Sequence, residues 1–399
     1  MTDTPAYGRA YRLTSIDLLR GLVIVVMALD HVRDYLMTGA AQNPMHDPNV
    51  GVALYFTRWA THFCAPVFVV LAGVSAGLMT ARKTPAELSA FLLRRGLWLI
   101  AIEWFVISTA FTFSPLGLPD FGGLVAVPLQ VIWAIGASLV VLAGAQFLGR
   151  RTCLWFGAAI LLGHNLLDFV WPHTTMSDPS PLWVSLHAQM AWAAPPFLFI
   201  FAYPILAWIG VMLLGFGIAP MFEQDPAARD ATLRRVGFAF IAAFVLLRLA
   251  NVYGDPRPWS VQASGAVRTI LDFLNVEKYP PSLLYLLATL GPAAIFCAFA
   301  EQIGGVVRTV LVTFGRAPFA FYVAHLYLIH GLAIGLGILQ GFRGGQFLSF
   351  AWTFPSPGYG VGLGGVYVAW VLVVAALYPL CHWMAGLKAR HRHWWLSYL

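Results

Sequence analysis

Charge is scarce in this chain: of 399 residues only 10% are Asp, Glu, Lys or Arg, against roughly 25% in ordinary soluble domains. No interval between its apolar segments is long enough for a separate soluble domain. Cysteine is scarce as well. The four cysteines, Cys64, Cys153, Cys297 and Cys381, are scattered through apolar segments without C-x-x-C spacing, which argues against a disulfide framework and a zinc site and leaves them as packing residues. There is no Walker loop, no H-E-x-x-H and no G-x-S-x-G, so nucleoside triphosphate hydrolysis, zinc proteolysis and a hydrolase elbow have no support. No internal repeat is strong enough to argue for the paired halves of many transporters.

What the chain does have is apolar length. Hydrophobic residues make up 59% of it, and runs of about 20 residues, the length that crosses roughly 30 Å of hydrocarbon, recur throughout. The expected fold is all-α: one polytopic integral membrane domain over residues 1–399, with about ten transmembrane helices. They begin near residues 15, 59, 92, 124, 153, 191, 235, 279, 310 and 362. The first fourteen residues are polar and the apolar segment after them is too long and too charged for a cleaved signal, so the first span is retained.

Positive charge falls in alternate connections: Arg9 and Arg12; Arg82, Lys83, Arg94 and Arg95; Arg150 and Arg151; Arg229, Arg234 and Arg235; Arg308; then Lys388, Arg390 and Arg392. The positive-inside rule makes these cytoplasmic, with both termini inside. Orientation in a bilayer accounts for the formal charge of +7, and no nucleic-acid partner is expected. The long opposite connections, 38–55, 171–187, 254–278 and 341–360, are outer loops. Their Trp171, Trp183, Trp259, Trp352 and Tyr359 are read first as interfacial anchors and second as ligand contacts.

Against this background the first span is unusual. Between Ser15 and Met37 it carries Asp17, Arg20, Asp30, His31, Arg33 and Asp34, and a charge at the bilayer centre costs roughly 2.5 to 3.5 kcal/mol. Asp17, Arg20, Ile24, Met27, His31 and Asp34 recur at three- and four-residue steps and form one stripe, which belongs on a protein interior. At about 1.5 Å per residue, His31 lies about 24 Å from the cytoplasmic end of its span, and His325, counted from Arg308, about 25 Å. His62, Asp168 and Arg248 fall in the same outer half.

His31 is therefore a candidate general base. Asp30 or Asp34 would orient it, and Asp34 shares its face. His325 and His330, taken singly, read equally well as interhelical hydrogen-bonding residues. An inner group comprises Asp17, Arg20 and Arg316, with Glu103 near mid-depth. Asp17 and Arg20, three apart, pair on the helix, and an arginine there also suits a phosphate. The segment Phe314-Gly315-Arg316-Ala317-Pro318 should interrupt its helix, as breaks beside cavities do.

Several motifs now combine: Ser15-Ile16-Asp17-Leu18-Leu19-Arg20-Gly21, Asp30-His31-Val32-Arg33-Asp34-Tyr35, Thr61-His62-Phe63-Cys64-Ala65-Pro66-Val67-Phe68 with Ala72-Gly73, Lys278-Tyr279-Pro280-Pro281-Ser282-Leu283, Phe314-Gly315-Arg316 before Phe321-Tyr322-Val323-Ala324-His325, and the terminal Trp394-Trp395-Leu396-Ser397-Tyr398-Leu399. Together they resemble bacterial membrane proteins related to heparan-alpha-glucosaminide N-acetyltransferase, nearly end to end. The resemblance implies a transmembrane acyltransferase in the inner membrane. Acetyl-CoA would bind from the cytoplasm, and a glycan or other small acceptor would be acetylated on a sugar amine or hydroxyl at the periplasmic side, with no metal.

The lysosomal enzyme's opening helix looks like this one from Asp17 and Arg20, and its functional asparagine falls on His31. The register of its catalytic histidine holds none here, with His46 upstream and His62 downstream. The more distant acyltransferase-3 family also has a functional histidine in its first helix. On this reading His31 is the base and Asp34 its orienter, with Asp30, His62 and His325 as further catalytic candidates. Arg20, Arg316, Arg94 and Arg95 would meet coenzyme A phosphates, and Arg33, Arg58, Arg248 and His46 the acceptor. A carrier or flippase using the same polar cavity without chemistry is the alternative, and a membrane scaffold is the third reading. A homodimer through small-residue stripes such as Gly73 to Gly77 is left open.

Overall fold

A computed structural model describes residues 13–39, 43–170, 180–355, 357–391, 393 and 396. Arg9, Arg12, Trp171, Arg392, Trp394, Trp395 and residues 397–399 lie outside the described residues. Helix α1 (Thr14–Leu36) carries the charged stripe. Helix α2 (Val52–Ala60) runs through one 3-10 turn into α3 (Cys64–Met79). Helix α4 (Pro85–Ile102) starts at a capping box, in which Thr84 Oγ1 accepts from the Glu87 amide while the Glu87 carboxylate accepts from the Thr84 amide. It continues through a π-helical turn, Glu103–Ile107, into α5 (Ser108–Thr112).

Then come α6 (Val131–Ala145), α7 (Arg150–Gly163), α8 (Leu167–Val170), α9 (Pro181–Leu186), α10 (Ile205–Ile218) and α11 (Pro226–Ala250). A short surface helix, α12 (Ala266–Leu274), precedes α13 (Leu283–Phe299), α14 (Gly305–Arg316), α15 (Pro318–Leu339) and α16 (Leu363–Arg390). Among the described residues seven helical segments are long and apolar enough to cross a membrane. Helices α1 and α11, of 23 and 25 residues, match such a length but carry more charge.

The structure is predominantly helical, as expected, and one expectation needs correction. Alongside the helices, β1 (Val125–Leu129), β2 (Ala191–Ala194) and β3 (Phe197–Phe201) form a small sheet in the order β1-β3-β2. Strand β1 runs parallel to β3, with Val125 opposite Phe197, and β2 is antiparallel to β3. The apolar stretches near 124 and 191 therefore open as strands, and their helices start only at Val131 and Ile205. Short apolar runs do not distinguish strand from helix by periodicity, which is why hydropathy merged them. The expected interruption at Phe314–Pro318 is present: α14 ends at Arg316 and α15 begins with Pro318, at a first-turn position whose amide needs no helical partner.

Helix α1 is central, packed against α3, α13, α14, α15 and α16. Its crossing with α14 is backbone against backbone. A methyl added at Gly21 would lie 1.9 Å from the Leu311 carbonyl oxygen, and one at Gly315 would lie 1.9 Å from that of Asp17. This approach brings Asp17 and Arg20 to Arg316. The Gly73 and Gly77 stripe is used the same way inside the chain, against Met212 and Ala219 where α3 crosses α10, so it offers no evidence for a homodimer. All four cysteines are free and buried.

Candidate functional site

The C-terminal half of α1 lines a polar cavity of about 670 Å³. Its walls come from Asp30, His31, Arg33, Asp34 and Tyr35 on α1, Arg58, Thr61 and His62 at the α2–α3 junction, Gln130 before α6, Gln189 before β2, and Arg257 and Glu277 to Tyr279 from the loops around α12. Ions of opposite sign are bound to one another here. Arg58 donates to Asp30 at 2.5 Å, Arg33 lies 3.1 Å from the other Asp30 oxygen, and Arg33 also pairs with Asp34. At the mouth Arg257 holds Glu277 at 2.8 Å. Buried pairs of this kind define orientation rather than add net stability.

His31 meets His325 of α15. Nδ1 of His31 and Nε2 of His325 are 2.7 Å apart, and Nδ1 of His325 faces the Phe321 carbonyl at 3.0 Å. His325 is fully buried, whereas His31 is partly accessible from the cavity. His62, 4% exposed, also lines the cavity, with its ring edge-on to Tyr285 and its carbonyl accepting from the Tyr285 hydroxyl.

The N-terminal half of α1 lines a second cavity of about 490 Å³. Arg20, Arg95, Arg316 and Lys388 contribute to it, with Ser75, and its remaining wall is apolar, from Ala72, Met79, Phe91, Ile135 and Phe319 among others. Asp17 joins Arg20 and Arg316 from behind, at 3.5 and 3.6 Å. Phe68, Val131 and Tyr322 line both cavities, so the two lie back to back across one shared wall. Along α1, Arg20 and His31 are separated by about 16 Å.

Other candidates sit differently. Asp34 does not orient His31: its carboxylate goes to Arg33, and the His31 ring is held by His325. Three residues along the helix allow a contact but do not oblige one when a guanidinium is adjacent. Arg248 does not line the polar cavity. Its guanidinium donates to the carbonyls of Asp272, Phe273, Asn275 and Arg257 and faces Asp255 at 3.8 Å, clamping the outer loop. Asp255 completes that clamp by accepting from the Glu277 and Arg257 amides and the Ser282 hydroxyl, while burial pushes its carboxyl up against those hydrogen bonds.

Arg94 turns away from the cavity that Arg95 lines, as adjacent helical residues do, and donates to the Ala90 carbonyl. Glu103 belongs to neither ionic group. It accepts the Gln130 and Trp133 amides at 3.0 and 2.9 Å and so caps α6 from the π-helical turn. Asp168 binds His187 and Asn165 in a separate buried cluster, where His164 reaches the Pro281 carbonyl. His330 lies between the Ala110 and Phe347 carbonyls, tying α5 to the connection after α15 rather than lining the polar cavity.

His46 stands at the mouth, exposed, and its pKa is lowered, first by partial burial and then by the nearby Arg257 cation. Of the outer-loop aromatics, Trp352 reaches the polar cavity, whereas Trp183 packs on His187, Trp259 packs on Phe273 and Tyr359 donates to the Tyr35 carbonyl.

Sequence reasoning missed Lys278 as a site residue. It is 6% exposed, lines the polar cavity and sits over the Tyr279 ring at 5.1 Å. Its signal was a single lysine at the start of an apolar segment. Arg257, Glu277, Gln130 and Gln189 were missed for a simpler reason: loop residues reach a cavity through chain paths that periodicity does not describe. Among the described residues no cluster of three or more His, Cys, Asp or Glu is placed to hold a metal ion.

The chain is thus a multi-pass helical membrane protein in which a basic cavity abuts a histidine-bearing polar one. The chain belongs to the heparan-alpha-glucosaminide N-acetyltransferase family, whose catalytic-region model matches residues 12–248. That span covers α1 to α10 and nearly all of α11, and so includes His31, Arg58, His62 and Arg95; His325, Lys278 and Arg316 lie beyond it. No curated protein matches the chain. Family membership implies a membrane acyltransferase, with acetyl-CoA as the donor used in the family generally.

Proposed function

We propose that the protein has ten transmembrane helices with both termini in the cytoplasm, sits in a bacterial inner membrane, and moves an acetyl or similar short acyl group from cytoplasmic acyl-CoA to a sugar amine or hydroxyl on the periplasmic side. The observation that carries this reading is the shared wall: two cavities of opposite character meet at Phe68, Val131 and Tyr322. The basic cavity suits acyl-CoA, with Arg20, Arg95, Arg316 and Lys388 for phosphates and the apolar lining for the pantetheine arm. The polar cavity suits a hydroxylated acceptor.

His31 removes the proton from the acceptor nucleophile as it attacks the thioester carbonyl. The new C–O or C–N bond forms, the C–S bond breaks, and the departing thiolate takes the proton back from His31. Arg33, Arg58 and Lys278 line the same cavity as His31 and are the cations that would stabilise the developing oxyanion. No acyl-enzyme is required.

Calorimetry with acetyl-CoA on protein in nanodiscs tests the donor half of this reading. Saturable binding that weakens in Arg20→Ala and survives in His31→Ala supports it. Absence of binding near millimolar acetyl-CoA, together with movement of a sugar across proteoliposomes lacking coenzyme A, would replace it with a carrier.

A further inference from the structure

His325 touches neither cavity, yet it is the only side chain among the described residues that hydrogen-bonds to the His31 ring. A carbonyl oxygen has lone pairs and no proton, so the ring nitrogen that faces Phe321 O at 3.0 Å, Nδ1 of His325, carries the hydrogen. A neutral imidazole has one N–H. The other nitrogen of His325, Nε2, is then an acceptor, and Nδ1 of His31, 2.7 Å away, is the donor. With its proton on Nδ1, neutral His31 presents a bare Nε2. That nitrogen has no hydrogen-bond partner among the described residues, on a ring that lines the polar cavity.

We propose that His325 is a positioning residue that sets the tautomer of His31, with the Phe321 carbonyl as the fixed end of a two-ring chain that leaves Nε2 of His31 as the proton acceptor. Its catalytic consequence rests on the acyl-transfer reading above; its structural content does not. His325 keeps both of its own nitrogens engaged throughout, one donating and one accepting, so it neither gains nor loses a proton in the step. The rings of Phe321 and Tyr322, with centroids 5.4 and 5.6 Å from that of His325, hold the imidazole in place. His330, five residues along the same helix, makes the contrast. Both of its ring nitrogens face carbonyls, at 2.8 and 2.7 Å, so it has no nitrogen left to instruct another ring.

Three variants separate tautomer control from packing. His325→Gln supplies both an acceptor oxygen and a donor amide; His325→Lys supplies a donor alone; His325→Leu supplies neither. Nitrogen-15 NMR of histidine-labelled protein in nanodiscs, with the His31 signals identified by their loss in His31→Gln, should show an unprotonated Nε2 in the wild type and in His325→Gln. It should show a shift toward protonated Nε2 in His325→Lys. In turnover with acetyl-CoA and an acceptor, kcat should fall about 100-fold in His325→Leu, at the lower end of what general-base catalysis contributes, while acetyl-CoA affinity holds and His325→Gln recovers most of the loss. A protonated Nε2 on His31 in the wild type, or Gln and Leu variants with the same spectrum, would overturn the proposal. If the wild type transfers no acyl group, the acyltransferase reading fails and the tautomer spectra still decide the role of His325.

Discussion

In the polar cavity charges of both signs are locked to one another, Asp30 between Arg33 and Arg58 and Glu277 against Arg257, whereas the charged side chains lining the basic cavity, Arg20, Arg95, Arg316 and Lys388, are of one sign, and the single Asp17 behind Arg20 and Arg316 leaves a net positive group. Mixed-sign pairs cancel at a distance and fix side-chain directions close up. A one-sign lining does the reverse, attracting a polyanion from afar with a pull that salt screens. One helix builds both: α1 offers Arg20 and Ile24 to the basic cavity and residues from Met27 to Tyr35 to the polar one. On the proposed function the first is the place of chemistry and the second of capture, and substitutions in each should have separable effects.

The largest expected separation comes from His31→Gln. It removes the proposed base and should lower kcat about 10²- to 10⁴-fold, the usual contribution of a positioned base, with acetyl-CoA binding unchanged in calorimetry. Equal losses of binding and turnover would erase the distinction between the cavities. Arg58→Ala comes next. Removing one partner of a buried ion pair costs about 3 to 5 kcal/mol, and because Arg33 still lies 3.1 Å from Asp30 the loss should fall at the lower end. Thermal denaturation in detergent should show a lower midpoint, which pairing Arg58→Gln with Asp30→Asn largely restores. A double variant no better than the single would mean that Arg58 stabilises by packing instead.

Arg95→Gln probes the other cavity. A hydrogen bond to a charged group contributes about 1.5 kcal/mol or more, roughly tenfold in affinity. Acetyl-CoA binding should weaken by that much, and the gap between wild type and variant should shrink as salt is raised. An effect on stability with none on binding would assign Arg95 to the scaffold.

How much of this was legible beforehand follows from what periodicity encodes. The stripe on α1 was readable because helical spacing puts Arg20, Ile24, Met27 and His31 on one face whatever the surroundings. The common level of His31 and His325 needed only rise per residue and a consistent orientation of the spans. Partner choice was not readable. Asp34 is correctly spaced for His31 but lies closer to Arg33, and only the approach of α15 provides the imidazole that takes its place. Glu103 looked like an inner ionic group because sequence depth cannot reveal that a π-helical turn aims its carboxylate at the first amides of α6. Arg248 looked free because backbone carbonyls, the acceptors it uses, leave no mark on a sequence.

The smallest effect concerns the rim of the polar cavity, where His46 responds to the field of its neighbours. Partial burial lowers its pKa first, the Arg257 cation lowers it further, and Glu277 opposes both. Between that lowered value and the ordinary one near 6.5, the unfolded chain binds more protons than the folded one. The His46 contribution to stability is therefore present above that window and is lost as the pH falls through it. Arg257→Gln removes the cation and frees Glu277 from its 2.8 Å pair, and both changes favour the imidazolium. An NMR titration should place the His46 midpoint below that of an exposed histidine in the wild type and move it upward in Arg257→Gln. A midpoint that ignores the substitution would show that burial alone sets it, and that the paired charges at this mouth cancel even for their nearest neighbour.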